Sequence, residues 1–326
     1  MATSDVLFNR ALDISALLHV PLKLLSMYIV LRHSPKYMDS LPLFILNIMF
    51  WNLMANIVAA FLHINPRFPQ QCHRADGPIG LLTSNEYIYH VFYAALFSCV
   101  LNCSLGLSYT FPYRYLLFVR PELVKRINVK SGICICLAVH FSVSTLFAYL
   151  YTYYIRSAAE YYLEAGIERP EGSIFCFWLS GWRKNTYMIG YFVVIFLAFG
   201  TVTLFAFLLG RHLTAMQNML CKQTLALHRR FLRYLLINTA VPLTFGGIPF
   251  LIVLFFAIFP QIHYSREVTM VCSVILYNHG AVYSVVSIVT FKPYSKAVRR
   301  IARSICGLDG YKVKVLRPGM NNRMVT

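Results

Sequence analysis

Residues 275–306 read ILYNHGAVYSVVSIVTFKPYSKAVRRIARSIC: an apolar run holding an asparagine and a histidine, then Lys292-Pro293-Tyr294, then a ladder of basic residues. Crossing a bilayer takes about 20 mostly apolar residues, and this run supplies the end of such a crossing. The residue before a proline is pushed away from helical geometry, so the Lys-Pro pair closes the span. Beyond it Tyr294, Val298, Ile301 and Ile305 recur at spacings of four, three and four, with Lys296, Arg299, Arg300 and Arg303 between them. That spacing predicts an amphipathic helix lying on a membrane surface.

The chain around this stretch is built the same way. Hydrophobic residues make up 58% of it and charged residues 13%, where a soluble domain carries about a quarter charged. Apolar runs occur at 14–31, 43–65, 87–111, 132–154, 186–210, 234–259 and 268–291. The first is the weakest, because it is short and contains His19, Pro21 and Lys23. No basic segment precedes it and no small-residue cleavage site follows, so it reads as a span and not as a signal peptide. The expected fold is an all-α seven-transmembrane helix bundle over 14–291. A short extracellular amino terminus, 1–13, precedes it, and a cytoplasmic amphipathic helix and tail, 292–326, follow.

Orientation comes from the basic residues of the connecting segments. The segments after spans one, three, five and seven collect twenty-one Lys and Arg, against eight on the opposite side. Four of those eight lie in the 155–185 loop, where Glu160, Glu164, Glu168 and Glu171 balance them. The amino terminus is therefore expected outside. The net charge of +18 falls largely on a cytoplasmic face that meets anionic lipid and protein partners, and nothing supports a nucleic-acid partner.

All twelve Asp and Glu fall in loops or at span edges. Proton relays and cation pathways usually use carboxylates within the membrane, so a pump or cation-coupled transporter is disfavoured. No internal repeat suggests a transporter built from related halves. There is no nucleophile with a paired base, no Gly-rich phosphate loop and no HExxH pattern, so neither an enzyme nor a cofactor is expected. Cys72 and Cys176 are the two cysteines placed in outer loops, in the oxidising compartment, and are expected to pair. Cys99, Cys103, Cys134, Cys136 and Cys272 lie within spans, where packing is the usual role. Cys306, at the end of the inner helix, is placed for palmitoylation. The sequon Asn102-Cys103-Ser104 lies inside span three and is closed to glycosylation.

Residues 211–233 contain no Gly or Pro and are expected to extend spans five and six as helices, bringing Arg229, Arg230 and Arg233 to the inner mouth. A binding cavity is expected among the outer halves of spans three, five, six and seven. Its candidate lining is Tyr89, His90, Tyr93, Phe97, Tyr187, Tyr191 and Tyr277, whose rings suit small, partly apolar molecules. Asn278 and His279 are candidates for an interhelical hydrogen-bond switch, against a static packing contact. Span seven carries no lysine for a retinal Schiff base.

Seven spans, an outer disulfide and a basic inner helix suggest a G-protein-coupled receptor, and short motifs narrow this. YIVLRHSPKYMDSLPLFILNIMFW, residues 28–51, resembles the first inner loop and second span of the nematode serpentine chemoreceptors, particularly the Srh class and its Str-superfamily relatives. NHGAVYSVVSIVTFKPYSK, residues 278–296, resembles that group's span seven, and Pro242 and Pro249 match its paired prolines in span six. The resemblance implies an environmental or pheromone-like small-molecule ligand, a heterotrimeric G protein as partner and the plasma membrane of a sensory neuron as location. Tyr113, Arg114, Arg229, Arg230 and Arg233 are then candidates for G-protein coupling.

Two positions depart from the group's pattern. Pro112 stands where an acidic residue precedes the arginine at the end of span three, and Ser295 stands where an arginine is usual. Pro112 lacks an amide donor and is expected to end or bend span three early. The loss of the carboxylate means that restraint on Arg114 must come from elsewhere. The rival reading is an odorant-gated ion channel of inverted topology, which the bias of basic residues opposes.

Overall fold

The computed structural model describes residues 3–35, 38, 40–126, 128–219 and 221–305. Cys306 and the tail beyond it lie outside the described residues.

Seven of its helices are long and apolar enough to cross a membrane. Span one is α1 (Thr3–His33), span two α2 (Leu41–Leu62) and, after two short strands and a turn of helix, span three is α4 (Glu86–Val119). The strands are β1 (Ile64–Arg67) and β2 (Cys72–Ala75), and the short helix is α3 (Ile79–Leu82). A small helix α5 (Pro121–Arg126) leads to span four, α6 (Val129–Tyr154). Then come β3 (Ile155–Arg156), α7 (Ala158–Ala165) and β4 (Ile174–Phe177) before span five, α8 (Trp182–Ala215). Span six is α9 (Lys222–Val241) and α10 (Ile248–Ile258), joined without a break by a π-helical turn at Pro242–Gly247. Span seven is α11 (Ser265–Thr290), followed by α12 (Lys292–Ile305).

Several boundaries differ from those the apolar runs predict, each for a local reason. Span one begins near Thr3, because Asp5 at its start is anchored by Arg74 (3.1 Å) and Arg266. Span two stops at Leu62, where His63 takes a left-handed φ of 40° as the chain turns into β1. Span three does not end at Pro112: the helix runs on to Val119. A proline costs one helical amide bond and some steric conflict, and neighbouring helices in a membrane bundle absorb that. The extensions of spans five and six are helical as expected, separated by a turn at 216–219.

One end of the bundle is closed by an antiparallel sheet with strand order β1-β2-β4-β3. Cys72 faces Cys176 in the register of β2 with β4, and the two form a disulfide. Phe175 and Phe177 of β4 are fully buried and stack into the helices: Phe177 lies 4.5 Å from the Tyr154 ring and 5.1 Å from Tyr93. The long loop before span five therefore plugs this end of the bundle. At the opposite end Pro293 sits in the first turn of α12, a position that needs no amide donor. The apolar stripe of α12 lies partly against the bundle itself. Tyr294 is fully buried, its hydroxyl 2.7 Å from Ser34 Oγ, and Val298 and Ile301 pack against the same core.

Candidate functional site

Spans two, three, six and seven leave a cavity beneath the disulfide-linked sheet. Its walls include Tyr93, Phe97, Phe250 and Tyr277, and His73 of β2 forms part of its roof. About 60 Å³ of it is free, room for more than one water. A second cavity of about 50 Å³ lies deeper and reaches span five through Ile195 and Phe199. Ala55, Val100, Phe250, Leu276 and His279 border both, so the two adjoin, and together they make up a shaft from the sheet toward the middle of the bundle.

Tyr93, Phe97 and Tyr277, among the seven candidates for ligand contact, border this shaft. The other four are buried elsewhere. Tyr89 donates to the Thr83 carbonyl, and His90 Nδ1 lies 2.9 Å from the Tyr151 hydroxyl. Tyr187 stacks on Tyr154 at 5.1 Å, and Tyr191 meets Phe147 edge-on at 4.5 Å. Phe175 and Phe177 from β4 occupy the neighbourhood of these rings, so the space expected between spans three and five is filled by protein.

His279 and Asn278 separate onto different faces of span seven. His279 Nδ1 bonds the Leu276 carbonyl within its own helix, which places the proton on Nδ1; Nε2 then accepts from Asn52 Nδ2 of span two at 2.7 Å. Asn278 donates instead to Ser15 Oγ of span one at 3.2 Å and to the Val274 carbonyl. Both residues tie span seven to a neighbour, but only His279 faces the shaft.

The π-helical turn of span six packs against this histidine. A Cβ on Gly246 would stand 3.2 Å from the His279 ring, and one on Gly247 would run into Phe199 of span five. Two prolines seven residues apart, Pro242 and Pro249, leave carbonyls of the preceding turn without amide partners, and the wider turn accommodates them. Span six is thereby shaped where it meets both the shaft and span seven.

Behind His279 lies Lys23 of span one, only 1% exposed, its Nζ 3.4 Å from the Asn52 carbonyl. No carboxylate among the described residues pairs with it. The apolar run of span one showed this lysine, yet it reads there only as a weakness of the span. An ionisable residue inside a membrane helix is by default a functional one.

At the α12 end of the bundle, Arg114 lies over the Phe231 ring, its guanidinium carbon 4.0 Å from the centroid. Phe231 is buried and belongs to the extension of span six, so this contact joins spans three and six where the carboxylate before Arg114 is missing. Tyr113 stacks on Phe44 of span two at 4.8 Å. Arg229, Arg230 and Arg233 are exposed and line an open basic groove on α9; Arg229 donates to Gln217 at 3.4 Å. Arg114 is not among the residues that line this groove.

Seven spanning helices, a disulfide-held sheet over one end, a shaft beneath it and an arginine contact between spans three and six at the other end define a seven-transmembrane receptor of the G-protein-coupled type. The chain matches the family model of the serpentine type 7TM GPCR chemoreceptor Srh over residues 3–304, and it belongs to that family. No curated protein gives a significant match.

Proposed function

We propose that the protein is a chemosensory receptor that binds a small molecule in the shaft between spans two, three, six and seven and activates a heterotrimeric G protein at the α12 end. One observation carries the reading: His279 borders both cavities of the shaft, is bonded to span two and is pressed against the π-helical turn of span six. A ligand bound there touches the helix that also holds Arg114 at its other end. A molecule that favours the active arrangement shifts the population toward it, and movement of span six separates Phe231 from Arg114.

In this reading the sheet end is outside and α12 lies at the inner leaflet, with Lys292, Lys296, Arg299, Arg300 and Arg303 toward anionic lipid. The disulfide supports that orientation, because such bonds persist in oxidising compartments. The plasma membrane of a sensory neuron is the expected location. A glycosylation acceptor placed at the amino terminus is expected to be modified, and one at the carboxyl terminus to stay bare. The reverse pattern would overturn the receptor reading in favour of an odorant-gated channel, for which ligand-evoked current is the next measurement.

The Arg114–Phe231 contact makes a second expectation. A cation–π contact of this kind is worth about 0.5–2 kcal/mol, so Phe231→Ala should raise ligand-independent signalling roughly twofold or more per receptor at the surface. Arg114→Ala should lower signalling without lowering surface expression. Basal activity unchanged by Phe231→Ala would remove the stack as the resting-state restraint.

A further inference from the structure

Among the described residues, no Asp, Glu, Lys or Arg lines either cavity of the shaft. Lys23 lies behind Asn52 and His279 and is not part of either wall. At the rim, Arg74 is bonded to Asp76 and Asp5, and Arg266 to Asp5 and to the Pro66 carbonyl. The bond to Asp76 holds the Arg74 guanidinium above its already high pKa, so its charge is fixed and matched. The shaft therefore offers no counter-charge to an ammonium or a carboxylate, and taking either out of water without one is costly.

The shaft does offer unpaired polar atoms. Thr269 Oγ1 and His73 Nδ1 belong to residues bordering the upper cavity and Asn52 Oδ1 to one bordering the lower; all three are buried and none has a hydrogen-bond partner among the described residues. The three residues are 4%, 7% and 4% exposed. A buried polar atom left unpaired costs the protein its desolvation, and a ligand group that pairs with it recovers that cost. Burial pushes the His73 imidazole down to about 3, with His90 adding to the effect, so the ring is neutral and keeps one nitrogen as acceptor. A threonine hydroxyl both donates and accepts.

We infer that the shaft takes an uncharged, mainly apolar molecule carrying a hydroxyl, which bonds Thr269 and His73 under the sheet while its carbon chain runs down the cavity along the wall that Phe97 and Phe250 form together. A hydroxyl is the group that both donates and accepts, as these two partners require. The inference rests on the receptor reading for its biological meaning, but the binding itself does not depend on coupling to a G protein.

The test uses purified full-length protein in nanodiscs and four probes of one chain length: n-hexanol, hexanoate, hexylammonium and n-hexane, each read by saturable thermal stabilisation. Hexanol is expected to bind best, about tenfold better than hexane, the gain of about one well-formed hydrogen bond. Thr269→Val should abolish that advantage while leaving the empty protein as stable as before or more so, because it removes an unpaired hydroxyl. A merely structural threonine would show the opposite, loss of stability with the preference intact. Ala55→Leu, at a residue shared by both cavities, should lower the affinity for hexanol and hexane together. Preference for hexanoate or hexylammonium, equal binding of hexanol and hexane, or saturable binding of none would each overturn the inference. A G-protein signal evoked by a charged compound, with such a result, would leave the receptor reading standing and sink only the ligand class.

Discussion

Cys72→Ser and Cys176→Ser are each expected to cut delivery to the cell surface several-fold, and the double substitution is expected to cut it no further. The two sulfurs are bonded to each other across β2 and β4, at a sequence separation of 104. On the loop-closure account a bridge of that length is worth about 4.7 kcal/mol. Spans three and four lie inside this loop and are already confined by the membrane, so the lower end of the usual range, about 2 kcal/mol, is the better expectation. What the bridge holds matters more than its entropy. It ties β4 to the rest of the sheet, and β4 carries Phe175 and Phe177 down among Tyr89, His90, Tyr93 and Tyr154. The segment leading into that strand stays attached through the backbone bond from Ala75 N to the Ser173 carbonyl at 2.8 Å. Surface labelling against total protein gives the loss, and alkylation of native protein gives the thiols. A double variant clearly worse than either single one would mean that the cysteines act separately, and a reactive thiol at either position in the native protein would sink the pairing.

The spans were legible because composition decides them: a run of apolar residues long enough to cross a bilayer has few other uses. Their ends were less so, because polar partners distant in sequence set them. Nothing near Asp5 announces that Arg74 and Arg266 will anchor it, so helix and loop looked alike there. The sheet over the bundle has strands of two to four residues, too short for alternation to show. That omission explains the misplaced cavity. Tyr187 packs against Tyr154, which stacks on Phe177 of β4, and Tyr191 against Phe147, while the upper cavity opens between spans two, three, six and seven. Tyr93, Phe97 and Tyr277 border that cavity. His73 and Thr269 carried no signal as site residues, since an isolated histidine in a loop and a threonine near a span edge usually mean nothing. The proline pair in span six did show, and the π-helical turn between them is its structural form.

The pattern at the centre of the bundle predicts a second large effect. Gly280→Ala is expected to reduce folded, surface-delivered protein several-fold, although alanine is the better helix former. A Cβ at Gly280 would collide with Asn52 Oδ1 and stand 2.7 Å from Lys23 Nζ. Ordinarily a side-chain end moves aside cheaply. Asn52, however, is held by its bond to His279 at 2.7 Å, and Lys23 is buried with its Nζ on the Asn52 carbonyl. Displacing Asn52 breaks the tie between spans two and seven and leaves His279 Nε2 without its donor. Overpacking costs about 1–3 kcal/mol, and an orphaned buried polar group about as much again. The argument has an internal control, because the obstacle is a side chain that can be removed. Asn52→Ala opens the space, so Asn52→Ala with Gly280→Ala should be better delivered than Gly280→Ala alone, a coupling that independent sites do not show. Additive losses in the double variant would mean that the two residues do not meet. The same double variant removes the side chain that bonds His279 and keeps the backbone carbonyl that Lys23 Nζ meets. If the Asn52–His279 bond serves the switch, ligand-evoked signalling per surface receptor should stay low even where delivery is recovered, and recovery of both together would reduce Asn52 to packing.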